Sequence, residues 1–252
     1  MATTTVPPQP APASVSSFGR IFGALFNPKP TFESIAQRPS WILPLLLLLV
    51  MSVAVTAIFG QRVGWRGFME KQIAHNASAQ RRMEQMTPEQ RQQIVDQQAK
   101  FAPVFGYVGA VVFTFGGAAL VAAIFLVIFN MLGGAKIGFS TSLGIVAHSW
   151  MPYFVSGLLG ILILFIKDPS TVDIQNLVAS NPGALLSDDS PKWLVSLCTS
   201  LDIFTFWALI LMAVGFNATN PKKIPFGKAL GSILAIWIVW VLVKVGLAAA
   251  FS

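Results

Sequence analysis

The sequence predicts an all-α, polytopic membrane protein: a bundle of five transmembrane helices, with amphipathic helices before the first span and a helical hydrophilic loop between the first two. Three observations carry this. Five stretches, at about 41–59, 104–132, 143–166, 193–216 and 227–251, are too apolar to stay in water. Each comes close to or exceeds the ~20 residues that a helix needs to cross ~30 Å of hydrocarbon. In lipid every backbone N–H and C=O must be satisfied within its own segment, so a helix is the open-chain solution. Composition agrees, with 54% hydrophobic and 11% charged residues, against roughly 25% charged in a soluble domain. A chain of 252 residues then holds one bundle and little else. The expected division is a disordered tail over 1–17 and a membrane domain over 18–252.

The elements follow in order. Residues 1–17 are mostly Pro, Ala, Thr, Ser and Val without charged side chains or period, and cannot bury enough surface to offset ordering entropy. Phe18, Ile21, Phe22, Leu25 and Phe26 then repeat at helical spacing, with Gly19, Arg20, Gly23 and Ala24 on the other face. Asn27-Pro28 ends this helix, because a residue before proline is pushed out of the α region. Two roles fit so short an amphipathic segment: lying on the membrane interface, or packing under the bundle. A second short helix over 31–37 buries Phe32 and Ile35 and closes at Pro39, and Trp41 sits where an aromatic anchor belongs. No small-residue cleavage site follows the first apolar run, so Trp41–Phe59 is expected to remain as an anchor.

The hydrophilic loop, 60–103, is rich in Gln, Arg and Glu. Thr87-Pro88-Glu89-Gln90 has the N-cap, the first-turn proline and the N3 glutamine of a capping box. A helix is expected from about Pro88 to Lys100, and a looser one over Phe68–Met83. With apolar positions as sparse as Met83, Met86, Ile94, Val95 and Phe101, this hairpin is either solvated or leans on a partner. Asn76-Ala77-Ser78 matches the glycosylation sequon, which matters only in a eukaryotic lumen. Among the later connections, 133–142 carries Lys136, 167–192 carries four aspartates against two lysines, and 217–225 carries Lys222 and Lys223, with Lys228 just beyond.

The net charge of +7 does not point to nucleic acid, because the basic residues sit beside the spans rather than on an aromatic-interleaved motif. There they meet membrane lipid headgroups and set orientation. Arg20, Lys29, Arg38, Lys136, Lys222, Lys223 and Lys228 place the N-terminus in the cytoplasm and the C-terminus outside, in a plasma (inner) membrane. Arg62, Arg66 and Lys100 count the other way. Cys198 is the single cysteine, so no intramolecular disulfide forms.

Charged groups within hydrocarbon are functional candidates by default. Asp202 lies nine residues past Trp193, about 13 Å deep at 1.5 Å per residue. Lys244 lies seven residues before Phe251, about 10 Å deep from the same side if the spans are antiparallel. The two are expected to form either a buried structural pair or an ion relay, unless Lys244 snorkels to the interface. Ser196, Thr199, Asp202 and Thr205 make a polar stripe that should face the bundle. His148 and Asn130 both lie toward the inner side, where antiparallel helices could bring them together. His75 is the only other histidine and sits in the hydrophilic loop, so no metal site is expected. Gly227, Gly231 and Ala235 form a small-xxx-small run that would admit a neighbouring helix, and Pro152 should kink the third span. No phosphate-cradling loop, HExxH motif, Cys/His cluster or Ser/His/Asp arrangement occurs, so neither catalysis nor a cofactor is expected.

Together these pieces resemble the Ypt-interacting protein (Yip) domain family in its bacterial form. The residues that carry the resemblance are Leu25-Phe26-Asn27-Pro28 with Thr31-Phe32 and Ile35, and Pro39-Ser40-Trp41 with Pro44. Further along they are Ser142 to His148 with Met151-Pro152, Asp202 to Trp207 with Gly215, and Phe226-Gly227-Lys228-Ala229. The resemblance runs from about Phe18 to the end and implies five helices with a cytoplasmic N-terminus. Eukaryotic members act in secretory traffic through small GTPases and partner family members. Of their Asp-Leu-x-Gly-Pro type motif only Pro28 has a counterpart here, so the resemblance brings no GTPase-binding residues onto this chain. The expected function is a non-enzymatic membrane protein that binds other membrane proteins, associates with itself or organises the membrane. The rival is a small-solute or ion carrier using Asp202, Lys244 and His148, which requires a cavity reaching Asp202.

Overall fold

The computed structural model describes residues 16–74, 76–131, 133–172, 176–187 and 189–250. Nearly all of the expected tail lies outside these residues, as do His75, Asp173, Asp188 and the last two positions, with the side chains of the sequon's Ala77 and Ser78. The described chain is helical throughout apart from turns. Four helices are long and apolar enough to span a membrane, and a fifth span forms if one bent pair is counted together.

Helix α1 (Ser17–Phe26) starts where the Ser16 hydroxyl accepts the Gly19 amide, and α2 (Pro28–Gln37) follows after the single residue Asn27. The two cross so closely that a Cβ on Gly23 would run into the Thr31 hydroxyl. The apolar face of α1 is turned opposite to what a soluble helix would do. Arg20, Ile21 and Ala24 face the protein, while Phe18, Phe22 and Phe26 point out at 63%, 64% and 77% exposure. Helix α2 wedges into the bundle through Phe32 and Ile35, both fully buried. Glycines make room for it: a Cβ on Gly215 would collide with Ile145 and lie 2.9 Å from Phe32, and one on Gly144 would meet the Ser40 carbonyl at 3.1 Å.

Helix α3 (Ile42–Arg62) is the first span. The hydrophilic segment then forms α4 (Trp65–Ala74) and α5 (Ala77–Glu84). The capping box at Thr87 starts α6 (Pro88–Val111), but this helix does not stop near Lys100. It runs through Pro103 and a π-helical turn at Val112–Gly117 into α7 (Ala118–Met131), making one 44-residue rod. Pro103 lies inside α6 without ending it, although it supplies no amide to the Ala99 carbonyl. The loop and the second span are therefore one element, with the loop half projecting beyond the membrane-length portion.

The third span is broken at Trp150 into α8 (Phe139–Ser149) and α9 (Met151–Ile166), with Pro152 in the first turn of the second piece. That position is where proline fits a helix best. The fourth stretch is not one straight helix either. It divides into α10 (Lys192–Ser200) and α11 (Ile203–Thr219), bent by 47° at Leu201-Asp202. Asp202 thus starts a helix instead of sitting in the middle of one. Helix α12 (Phe226–Ala250) completes the bundle by packing on α10 and α11.

Two ends can be told apart. At one end the turns 133–138 and 220–225 meet, where Lys223 Nζ donates to the Gly134 carbonyl at 2.6 Å. At the other, Arg62 Nε donates to the Leu164 carbonyl at 3.2 Å, and Lys71 reaches the Ser170 and Val172 carbonyls. Phe59, Trp65 and Phe68 pack edge-on there, with ring centroids 5.5–6.2 Å apart. Arg66 ties α4 to α6 by bridging Glu70 and Asp96, both of which raise its pKa.

The two turns at the first end are built alike. Asn130 Nδ2 donates to the Ile137 carbonyl at 2.9 Å, and Asn217 Nδ2 to the Ile224 carbonyl at 2.8 Å. Phe129-Asn130, Lys136-Ile137, Phe139 and Leu143-Gly144 recur at identical spacing as Phe216-Asn217, Lys223-Ile224, Phe226 and Leu230-Gly231. The matching Phe129 and Phe216 rings touch, with centroids 4.7 Å apart, at the centre of the main core. A residue in contact with its own counterpart lies where the axis of a repeat would pass. The pairs α7–α8 and α11–α12 thus read as an internal repeat of one helical hairpin.

Candidate functional site

A cavity of about 780 Å³ opens between α3, the π-turn of α6, α9, the segment 176–181 and the α10–α11 break. Its size is that of small-ligand sites generally. Three helix irregularities meet around it. The π-turn presents Thr114, the α8–α9 break presents Trp150 and Tyr153, and the α10–α11 break presents Asp202. Broken helices at membrane depth are tolerated where they are buried in protein or line a cavity, because the freed backbone groups find partners there. The 176–181 segment contains Ala179 at φ +53°, a left-handed conformation that costs an L-residue roughly 1–2 kcal/mol.

Asp202 is the described lining residue that carries a carboxylate. Its Oδ1 accepts the backbone amides of Phe204 at 2.9 Å and Thr205 at 3.1 Å, the geometry of a helix N-cap. Its other oxygen accepts from Ser180 Oγ. The carboxylate thus uses both oxygens as acceptors and faces the positive end of the α11 dipole. Tyr153 OH donates to Thr205 Oγ1 at 3.4 Å, and Asn181 Oδ1 is buried without a partner. The wall combines hydrogen-bonding groups with the apolar Met51, Val55, Phe105 and Phe113. Chemically such a wall can hold a small amphiphile by one polar end.

The structure brings Thr199, Asp202 and Thr205 to this one cavity. Lys244 does not join them: its Nζ donates to Ser200 Oγ at 3.1 Å, and among the described residues both ion pairs belong to Arg66. His148 and Asn130 do not meet. The His148 Nδ1–H donates to the Gly144 carbonyl of its own helix at 2.9 Å, while Asn130 is consumed by both backbone groups of Ile137. The small run on α12 is not a packing face within the chain, since a Cβ on Gly227 or Gly231 would meet nothing within 4 Å. Ala229, Ile233 and Val241 make the contacts instead. No group of three or more potential metal ligands occurs among the described residues.

Tyr153, Ser156, Ser180 and Asn181 were missed from the sequence. Tyr153 and Ser156 are isolated polar groups in an apolar span, and helical phase alone does not tell cavity from lipid. Ser180 and Asn181 belong to a loop, where no period assigns a face.

A family model for the Yip1 domain matches residues 22–249. No curated protein and no solved structure matches the chain.

Proposed function

The chain belongs to the Yip1 domain family, and from that premise we propose that it works without catalysis, as a multi-pass protein that organises the membrane from its cytoplasmic leaflet. The observation that carries this is the outward row of Phe18, Phe22 and Phe26 on α1. Residues four apart share one helix face, so the three rings form a single apolar edge. That edge is held at a fixed angle, because Ile21 and Ala24 pack behind it and α2 is wedged into the glycine-lined groove. In water three exposed rings would be costly; at a bilayer surface they enter the acyl boundary. The Lys136, Lys222 and Lys223 turns adjoin the ends of α8 and α11 on which α2 packs, which supports placing that half in the cytoplasm.

A rigid wedge in one leaflet adds area there and favours curvature. The test is reconstitution of the full chain at increasing protein density, with vesicle shape read by electron microscopy. The parent is expected to give smaller or tubulated vesicles. A Phe18→Ser, Phe22→Ser, Phe26→Ser variant of equal thermal stability should lose this, and unchanged curvature would sink the proposal.

The cavity at Asp202 favours a second reading, binding or passage of a small solute. It requires water in the cavity. In a Cys198→Ser background, Ser156→Cys should react with a water-soluble thiol reagent and Leu120→Cys, which faces outward, should not. An unreactive Ser156→Cys would remove this reading.

A further inference from the structure

Arg20 presents a problem that the protein alone leaves unsolved. Its side chain sits on the inner face of α1, with 8% of the residue exposed. Nη1 donates to the Arg38 carbonyl at 2.8 Å and to Ser40 Oγ at 3.0 Å. The Nε–H is buried with no acceptor. No carboxylate pairs with the guanidinium, since both ion pairs among the described residues use Arg66. Glu33, the one acid between Ser16 and Trp41, is exposed. Burial, and after it the like charge of Arg38, push the Arg20 pKa down. The Arg20 field also reaches His148, the titratable group that α8 packs on this side.

Removing a guanidinium from water without a counter-ion is costly, and a side chain that did so idly could leave through the short α1 rim. Its fork geometry suits phosphate oxygens, which accept two parallel N–H bonds. The location narrows the source. Ser40 and Trp41 open the first span, and the phenylalanine edge of α1 enters the acyl boundary, so Arg20 lies at headgroup depth. This step rests on the interfacial placement of α1 proposed above. Two cations with no carboxylate between them do not offer a seat for a choline or ethanolamine group, so the excess favours a lipid whose net charge is negative.

We propose that Arg20, Arg38 and Ser40 form a seat for the phosphate of an anionic phospholipid, which completes the α1–α2 junction. The bound headgroup would lock α1 against the first span and so make the wedge depend on lipid charge.

The test uses the full chain purified in neutral detergent, with thermal unfolding followed after adding phosphatidylglycerol, phosphatidylcholine or inorganic phosphate. The parent should be stabilised by a few degrees more with phosphatidylglycerol than with phosphatidylcholine, and not by inorganic phosphate. Arg20→Gln should lose that difference, while Arg20→Lys should keep part of it, having charge without the fork. If Arg20→Gln fails to fold, Arg38→Gln, whose side chain is exposed, should weaken the preference without changing stability in phosphatidylcholine. Equal stabilisation by the two lipids, or a full preference in the folded Arg20→Gln and Arg38→Gln variants, would overturn the seat. An equal shift with inorganic phosphate would overturn the lipid as its occupant. The wedge is read separately: curvature that survives while the lipid preference is absent defeats the seat alone, and lost curvature with the preference intact defeats the wedge alone.

Discussion

Lys244 and Asp202 stand on opposite sides of one helix break and do not pair. Lys244 Nζ reaches Ser200 Oγ, at the carbonyl end of α10, while Asp202 caps the amide end of α11. Each charge therefore meets the helix end whose partial charge it complements. A continuous helix would offer neither end, so the 47° bend and the two charges explain each other.

Stability should respond accordingly. Asp202→Ala is expected to cost about 0.5–2 kcal/mol, the usual value of an N-cap, and Asp202→Asn much less, since its amide oxygen still accepts. Lys244→Met should cost about 0.3–1 kcal/mol through the lost C-terminal interaction. The double variant should lose roughly the sum. A buried ion pair predicts the reverse, with recovery in the double variant. Thermal unfolding of the four proteins in detergent decides between them.

What the sequence showed and what it hid divide along physical lines. The spans were legible because lipid demands long apolar runs, and the start of α6 because Thr87, Pro88 and Gln90 act locally. The end of α6 was not, because a polar helix and an apolar one can be continuous, and composition changes without any break in the backbone. The division at Leu201-Asp202 was hidden for the opposite reason: hydropathy runs straight across it. An aspartate followed by Phe204 and Thr205 can be read as a cap as well as a mid-span charge, and taking it as a charge led to Lys244 as partner. The outward phenylalanines of α1 could not be read from periodicity, which finds an apolar face but not the solvent it meets. The Asn130 and Asn217 turns were legible by aligning the chain with itself, and reading span by span missed them.

The groove that receives α2 gives a second prediction. A methyl on Gly215 collides with Ile145 and crowds Phe32. Gly215→Ala should therefore destabilise by about 1–3 kcal/mol, as overpacked cores do. Gly231 on α12, by contrast, is open, so Gly231→Ala should be neutral or slightly stabilising. Equal effects at both positions in thermal unfolding would mean that α2 does not occupy this groove.

The capping box predicts a local effect. Thr87 Oγ1 accepts the Gln90 amide at 3.4 Å, and Gln90 Oε1 accepts the Thr87 amide at 3.0 Å. Thr87→Ala should cost about 1 kcal/mol in the first turns of α6. Hydrogen exchange should speed up over 89–94 and stay unchanged past Phe101, where the rod enters the bundle. Faster exchange along the whole helix would show that its polar half is cooperative with the span.

The bent pair α10–α11 could be one span or a hairpin that returns to its side of origin, and the contacts at its ends favour the span. The Ile203 amide donates to the Ser180 carbonyl, beside the cavity, while Lys223, four residues past the end of α11, reaches Gly134. Helix α11 has 17 residues, about 25 Å at 1.5 Å per residue, enough to carry the chain across most of the hydrocarbon. Glu84 and Lys222, both exposed, should then lie on opposite sides. With Cys198→Ser as background, Glu84→Cys should react with an impermeant thiol reagent on intact cells. Lys222→Cys should react only after permeabilisation, because Lys136, Lys222 and Lys223 collect at that end and positive loops stay inside. The reverse pattern would invert the orientation and place α1 on the outer leaflet. Labelling of both from outside would make the α10–α11 pair re-entrant, leaving four spans and making the break at Asp202 the turning point of a hairpin that returns to its own side.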